Sequence, residues 1–172
     1  SNNQVDDARE KLLDLEYLGK MFNLGKKNLD ILQYWIKIGD DDQGQGYIAS
    51  VNKYMERDLK EENLDVLEEF LSFCFLASWS AVGVETGELI SKASEKLLGP
   101  EHQKTLNIYI HQGNFLNIEA DYEKALNVLN FALKAQEKTL GINHSETLTA
   151  VNNLGMLYYN KGDYEKAEAF YK

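Results

Sequence analysis

The sequence predicts an all-α fold built from stacked helical hairpins. Three observations carry this. Residues 98–130 align without a gap on residues 140–172, with 11 identities in 33 positions, a repeat of 42 residues. Apolar residues recur at three- and four-residue steps, and no sustained alternating run of the kind a half-buried strand needs is present. Only one Pro occurs among 172 residues, and the glycines stand mostly where helices would end. A fixed period of this length is the mark of a repeat array, in which each unit buries its apolar face on its neighbours.

From the N-terminus, Val5 to Leu24 reads as a helix with Leu12, Leu15, Leu18 and Phe22 on one face, and Gly25 breaks it. Asn28 to Ile38 follows, apolar at Leu29, Ile31, Leu32, Trp35, Ile36 and Ile38. These two form a diverged first hairpin, 5–38. Gly39 to Gly46 is a loop by composition. Its acids Asp40, Asp41 and Asp42 resemble the start of a calcium loop, but the twelfth position, where such a loop closes with Glu, is Val51. Tyr47, Ile48, Val51, Tyr54, Met55 and Leu59 keep helical spacing, giving an inserted helix over 47–59. Asn63 to Ala81 reads as a helix apolar nearly all round, and Glu85 to Leu98 as its partner. The uncharged run 70–84 is too short for a membrane span, which needs about 20 residues.

The repeat proper then begins. His102 to Ile118 and His144 to Asn160 are first helices, and Asp121 to Thr139 and Asp163 onward are second helices. Gly162 supplies a helix C-terminus, and Asp121 and Asp163 supply N-cap oxygens for free backbone N–H groups. Gly113 and Gly155 on the first helices, with Ala125 and Ala167 on the second, let paired backbones approach. Lys92 to Gly99 repeats as Lys134 to Gly141, and Gly83 stands where Ala125 and Ala167 stand, so 63–98 is a degenerate repeat. The chain divides into a diverged helical region, 1–62, and repeats over 63–172: 63–98 degenerate, 102–140, and 144–172 incomplete. The second helix starting at Asp163 is shorter than its equivalent. That predicts an open end with Tyr158, Ala167, Phe170 and Tyr171 partly bare, a chain continuing past Lys172, and a weak homodimer through this end.

Composition sets bounds on function. Net charge is −10, which disfavours nucleic acid, since phosphate neutralisation needs clustered Lys and Arg. Residues 40–69 hold ten acids against three bases, −7 of the −10; this is a solvated face or a lure for a basic partner. Cys74 is the lone cysteine, set in Phe-Cys-Phe-Leu, and reads as a buried inert thiol in a reducing, cytoplasmic setting. No secretory or lipidation signal is visible. His102 and His144 are repeat equivalents, so they order the junction between units rather than converge on one metal. His111 has no ligand at suitable spacing. No phosphate loop, catalytic triad or carboxylate pair stands out, so the reading is a non-enzyme with no cofactor and no metal.

Leu154-Gly155, Tyr158, Ala167 and Tyr171 resemble the tetratricopeptide repeat, which carries Leu-Gly and Tyr on its first helix and Ala with an aromatic on its second. The 42-residue period, the Leu-Gly-Pro-Glu-His junction, Asn152-Asn153-Leu154-Gly155 and Gly-Asp-Tyr-Glu-Lys-Ala are similar to the kinesin-light-chain type. The resemblance implies a right-handed α-α superhelix whose first helices line a concave face. It implies that Asn107, Ile110, Asn114 and Asn117, with Thr149, Asn152, Met156 and Tyr159, point into that groove. These are neutral and amide-rich, suited to a peptide backbone. The implied function is a non-catalytic scaffold that binds a peptide or protein segment. The alternatives are a regulatory array within a larger signalling ATPase or effector, and a non-catalytic piece of a multidomain enzyme. The family's carboxylate clamp fits only at Asn114, because Ile110 and Met156 replace its Lys and second Asn. The kinesin-light-chain cargo site fits only at Asn152, with no Lys or Arg among the eight positions.

Overall fold

The computed structural model describes residues 59–76 and 79–172, all helix and connecting turn, with no strand among them. The expected hairpin 5–38, the acidic loop and most of the inserted helix 47–59 lie outside the described residues. Six helices follow in order: α1 (Glu61–Leu76), α2 (Ser80–Leu98), α3 (Gln103–Ile118), α4 (Tyr122–Thr139), α5 (Ser145–Lys161) and α6 (Tyr164–Tyr171). The chain divides into two compact units, Ser1–Thr86 and Gly87–Lys172.

In the first unit, α1 buries Leu64, Leu67, Phe70, Leu71 and Cys74, a stripe at three- and four-residue steps, and leaves Phe75 exposed. The Cys74 thiol is buried, and burial pushes its pKa well above that of an ordinary thiol. The backbone N–H of Trp79 donates to the Cys74 carbonyl at 2.8 Å, and that of Gly83 to the Trp79 carbonyl at 2.9 Å. The first bond ends α1 and the second begins α2. The break therefore falls five residues earlier than the 63–81 helix expected from the apolar run alone. Hydrophobicity continues through Ala81-Val82-Gly83-Val84, so composition does not mark the turn, whereas the repeat does. The first helices begin at Glu61, Gln103 and Ser145, and the second helices at Ser80, Tyr122 and Tyr164, each set spaced by 42. Gly83, Ala125 and Ala167 are each the fourth residue of their helix, and all three are buried.

In the second unit, α3 packs on α4, α4 on α5, α5 on α6, and α3 also on α5. The core between them holds Leu106, Ile108, Phe115, Ala125, Leu129, Ala132, Ala150, Leu154 and Leu157, none with appreciable exposure. Each large member contributes about 1.5–3 kcal/mol through burial. Four side-chain caps fix the helix starts. The Nδ1 of His102 and of His144, both on extended backbone, each accept the N–H two residues on, from Lys104 and Glu146, at 3.3 Å. Asp121 and Asp163 accept the N–H groups of Lys124 and Lys166 at 3.4 and 3.3 Å. A free helix N-terminus has four unpaired N–H groups, and each cap satisfies one. The two imidazoles thus cap the helices that follow the junctions between repeats.

Turns between helices use left-handed residues. Gly99, Gly141 and Gly162 have φ of 94°, 90° and 85°. At the turn equivalent to Gly162 the chain has Ala120, with φ of 61°. The flanking hydrogen bonds are conserved between the two turns. Ala120 N–H reaches Asn117 and Asp121 N–H reaches Leu116, as Gly162 reaches Tyr159 and Asp163 reaches Tyr158.

Candidate functional site on the first helices

The two first helices of the second unit are clamped to each other at both ends. Near their N-termini, Gln103 Nε2 donates to Glu146 Oε2, and also to Asn107 Oδ1 at 3.1 Å. Near their C-termini, Asn160 Nδ2 donates to Asn117 Oδ1 at 3.2 Å. The Asn160 carbonyl is held in turn by the Tyr122 hydroxyl at 3.3 Å. These polar pairs set the spacing of α3 and α5 at either end of an apolar seam.

The helix α5 divides sharply between its two sides. Thr147, Ala150, Asn153, Leu154, Gly155 and Leu157 are buried. Thr149, Asn152, Met156 and Tyr159 are exposed, Met156 by 46% and Tyr159 by 59%. Their steps of three, four and three residues place them within one quadrant of the helix. The Thr149 hydroxyl donates to its own helix at Ser145, 3.0 Å away. The Tyr159 ring lies 5.3 Å from that of Tyr164, tilted by 59°. Tyr164 is itself exposed, and it extends the aromatic end of the stripe. Tyr158, the residue before Tyr159 on α5, turns the other way: its ring stacks on Phe170 at 5.5 Å and carries the Lys166 ammonium 5.4 Å from its centre.

The α3 residues expected beside this stripe divide. Asn107 and Asn114 are half-buried, whereas Ile110 and Asn117 are buried. Asn117 is committed to Asn160 and Asn107 to Gln103. The open part of the surface is thus supplied mainly by α5. Sequence reasoning passed over Ile118 and Tyr164, both exposed; Leu148, which by its spacing heads the apolar stripe of α5, is exposed as well. Tyr164 lies inside the repeated Asp-Tyr-Glu-Lys-Ala block, where it reads as part of a structural signature. Only the contact with Tyr159 gives it a second role.

None of the eight side chains is charged, so the stripe offers amide hydrogen bonding and apolar contact. Met adapts its shape to a partner and Tyr brings an amphipathic ring, both favoured at recognition surfaces. Among the described residues, no group of three or more His, Cys, Asp and Glu could hold a metal ion. No helix among them is long and apolar enough to cross a membrane.

Comparison with known proteins bears on the repeat and on the fold. Residues 104–172 match the family model of the tetratricopeptide repeat. Among solved structures, the chain is similar to BtubC (BKLC) from P. vanneervenii, with a TM-score of 0.63 and 16% identity, over 98% of this chain and 70% of that one. At that identity the likeness is one of fold. No curated protein matches the sequence.

Proposed function

We propose that this chain, whose residues 104–172 match the family model of the tetratricopeptide repeat, is a non-catalytic protein-interaction module that holds a peptide or protein segment along α5. Tetratricopeptide repeats serve in general as protein-interaction modules. The observation that carries the finer reading is the stripe of Thr149, Asn152, Met156 and Tyr159. It leaves a thioether and a phenol ring exposed on a helix that buries Ala150, Leu154 and Leu157 on its other side. Asn152 donates to and accepts from a partner's backbone, Met156 and Tyr159 receive apolar side chains, and Asn107 and Asn114 form the near wall. The buried lone thiol suits a reducing compartment, and under this reading the chain works in the cytoplasm.

The test is to capture partners with the chain as bait, identify them by mass spectrometry, and measure affinity for the best one. Replacing Asn152 with Ala and Met156 with Ser should together weaken it by about 1–3 kcal/mol. Both residues are exposed, so the fold should persist, and circular dichroism checks this. Unchanged affinity in the double variant removes the α5 stripe as the binding surface.

A further inference from the structure

Away from that stripe, α2, α3 and α4 enclose an open cleft of about 430 Å3, lined by Glu95, Pro100, Tyr109, Asn127, Val128 and Phe131. Its volume lies within the usual range of ligand-sized sites, about 300–1,000 Å3. The wall is mainly apolar. The Tyr109 and Phe131 rings meet edge to face at 5.7 Å and 89°. Phe131 is 41% exposed, a large apolar ring left in contact with water. The Tyr109 hydroxyl donates to Glu95 Oε2 at 3.0 Å. Burial first, and the neighbouring Glu95 second, push the Tyr109 phenol up to about 12. It therefore remains a donor at any ordinary pH and keeps the carboxylate turned to the cleft. Of the six lining residues only Glu95 is charged, and none is a cation.

This combination selects its ligand. An apolar side chain entering the cleft covers Phe131 and Val128 but also strips water from Glu95. Desolvating a carboxylate is costly unless a cation replaces the water. A neutral or acidic neighbour leaves that cost uncompensated. Arg compensates it and can also stack its guanidinium plane on an aromatic ring.

We propose that this cleft is a second docking site, separate from the α5 stripe, for a protein segment presenting an aromatic or large aliphatic side chain next to an Arg. The apolar side chain rests against Tyr109, Val128 and Phe131, and the guanidinium meets Glu95. One partner could then contact both surfaces, or two partners bind at once.

The probe is the peptide acetyl-Gly-Phe-Arg-Gly-amide, titrated to millimolar concentration into the 15N-labelled chain and followed by amide chemical shifts. Shifts should centre on Glu95, Tyr109, Val128 and Phe131. Replacing the peptide's Arg with Glu should weaken binding about fivefold, the size of a partly exposed ion pair. Glu95→Gln, a near-isosteric change at an exposed position, should abolish that discrimination while the Phe contact persists. The inference fails if the peptide shifts no residue of the cleft, if the shifts centre on Asn152, Met156 and Tyr159 instead, or if the Arg and Glu peptides bind the parent equally. The last three residues report on the α5 stripe, so the two surfaces are judged separately.

Discussion

Leu129 occupies the space that a side chain on Gly113 would need: its Cγ lies 2.5 Å from the position of a Cβ there. Forty-two residues on, Tyr171 stands in the same relation to Gly155, with its ring carbon Cζ at 2.7 Å. Helices α3 and α5 thus each carry a hole, and α4 and α6 each supply a knob sixteen residues later. The consequences differ because the knobs differ in freedom. Leu129 is fully buried, whereas Tyr171 is 54% exposed. Gly113→Ala forces a methyl into a filled seam and should cost about 1–3 kcal/mol. That exceeds the gain of up to about 1 kcal/mol from better helix propensity. In Gly155→Ala the Tyr171 ring swings outward, so the two effects should nearly cancel. Urea unfolding of both variants checks this, and equal midpoints would remove the distinction.

The 42-residue period made much of this fold legible in the sequence. It located the starts of α3 to α6 to within one residue and the two aspartate caps, whereas α1 and α2 begin at Glu61 and Ser80, ahead of the expected Asn63 and Glu85. It failed where an element was read from its own composition: the run from Phe70 to Val84 stays apolar through the turn near Trp79, so hydrophobicity placed the end of α1 too late. The eight positions that the repeat assigns to one face do not share one exposure. Repeat position assigns Ile110 and Asn152 the same role, yet Ile110 is buried and Asn152 is exposed. What covers a residue depends on the neighbouring helix, and no single repeat encodes that. The cleft around Glu95 and Tyr109 was not legible at all, because it joins residues of three helices that share no motif.

Ala120 carries a conformation that suits Gly. Its φ of 61° brings Cβ close to the following carbonyl oxygen, at a cost of about 1–2 kcal/mol. Gly loses more chain entropy on folding, which offsets part of that. Ala120→Gly should therefore gain about 0.5–1 kcal/mol and raise the melting temperature by a few degrees. The reverse change at the equivalent turn, Gly162→Ala, should lose a similar amount. No atom lies within 4 Å of a Cβ built on Gly162, so the loss there is purely one of backbone conformation. Scanning calorimetry of both variants reads the two signs, and a loss at Ala120→Gly would contradict the turn geometry.

Acid should weaken the two aspartate caps together. The Lys124 side chain bonds to Asp121, and the Lys166 side chain to Asp163, each at 2.7 Å. These bonds hold both carboxyls below the usual carboxylate range; a slight burial opposes them, and the backbone N–H groups of the same lysines add to the lowering. A group with a depressed folded-state pKa contributes stability above its ordinary value, 3.8 here, and loses it as pH falls through the lowered one. These caps should therefore support stability evenly from neutral pH to about pH 5 and fail below about pH 4. Asn caps a helix nearly as well as Asp but does not titrate. Asp121→Asn with Asp163→Asn should melt below the parent at neutral pH and approach it under acid. A gap in melting temperature that stays constant from pH 7 to pH 3 would show that the lysine pairing contributes nothing.

The two junctions between successive repeats treat the same buried position differently. Ser94 and Thr105 are both buried, and their hydroxyls share a hydrogen bond of 2.7 Å. Their equivalents are Gln136 and Thr147, also fully buried, but Gln136 Nε2, Gln136 Oε1 and Thr147 Oγ1 have no hydrogen-bond partner among the described residues. A buried polar group without a partner carries a desolvation cost of about 1–3 kcal/mol, whereas a satisfied pair carries none. Gln136→Met keeps length and volume and removes two such atoms, so it should raise stability or leave it unchanged. Ser94→Ala should do the opposite, because it strands the Thr105 hydroxyl in the core and costs about 1–3 kcal/mol. The first junction is thus predicted to be rigid and intolerant of polar-to-apolar change, and the second to improve with it. Denaturant unfolding of the two variants decides the matter. A Gln136→Met variant that loses as much stability as Ser94→Ala would show that the Gln136 amide is satisfied in solution.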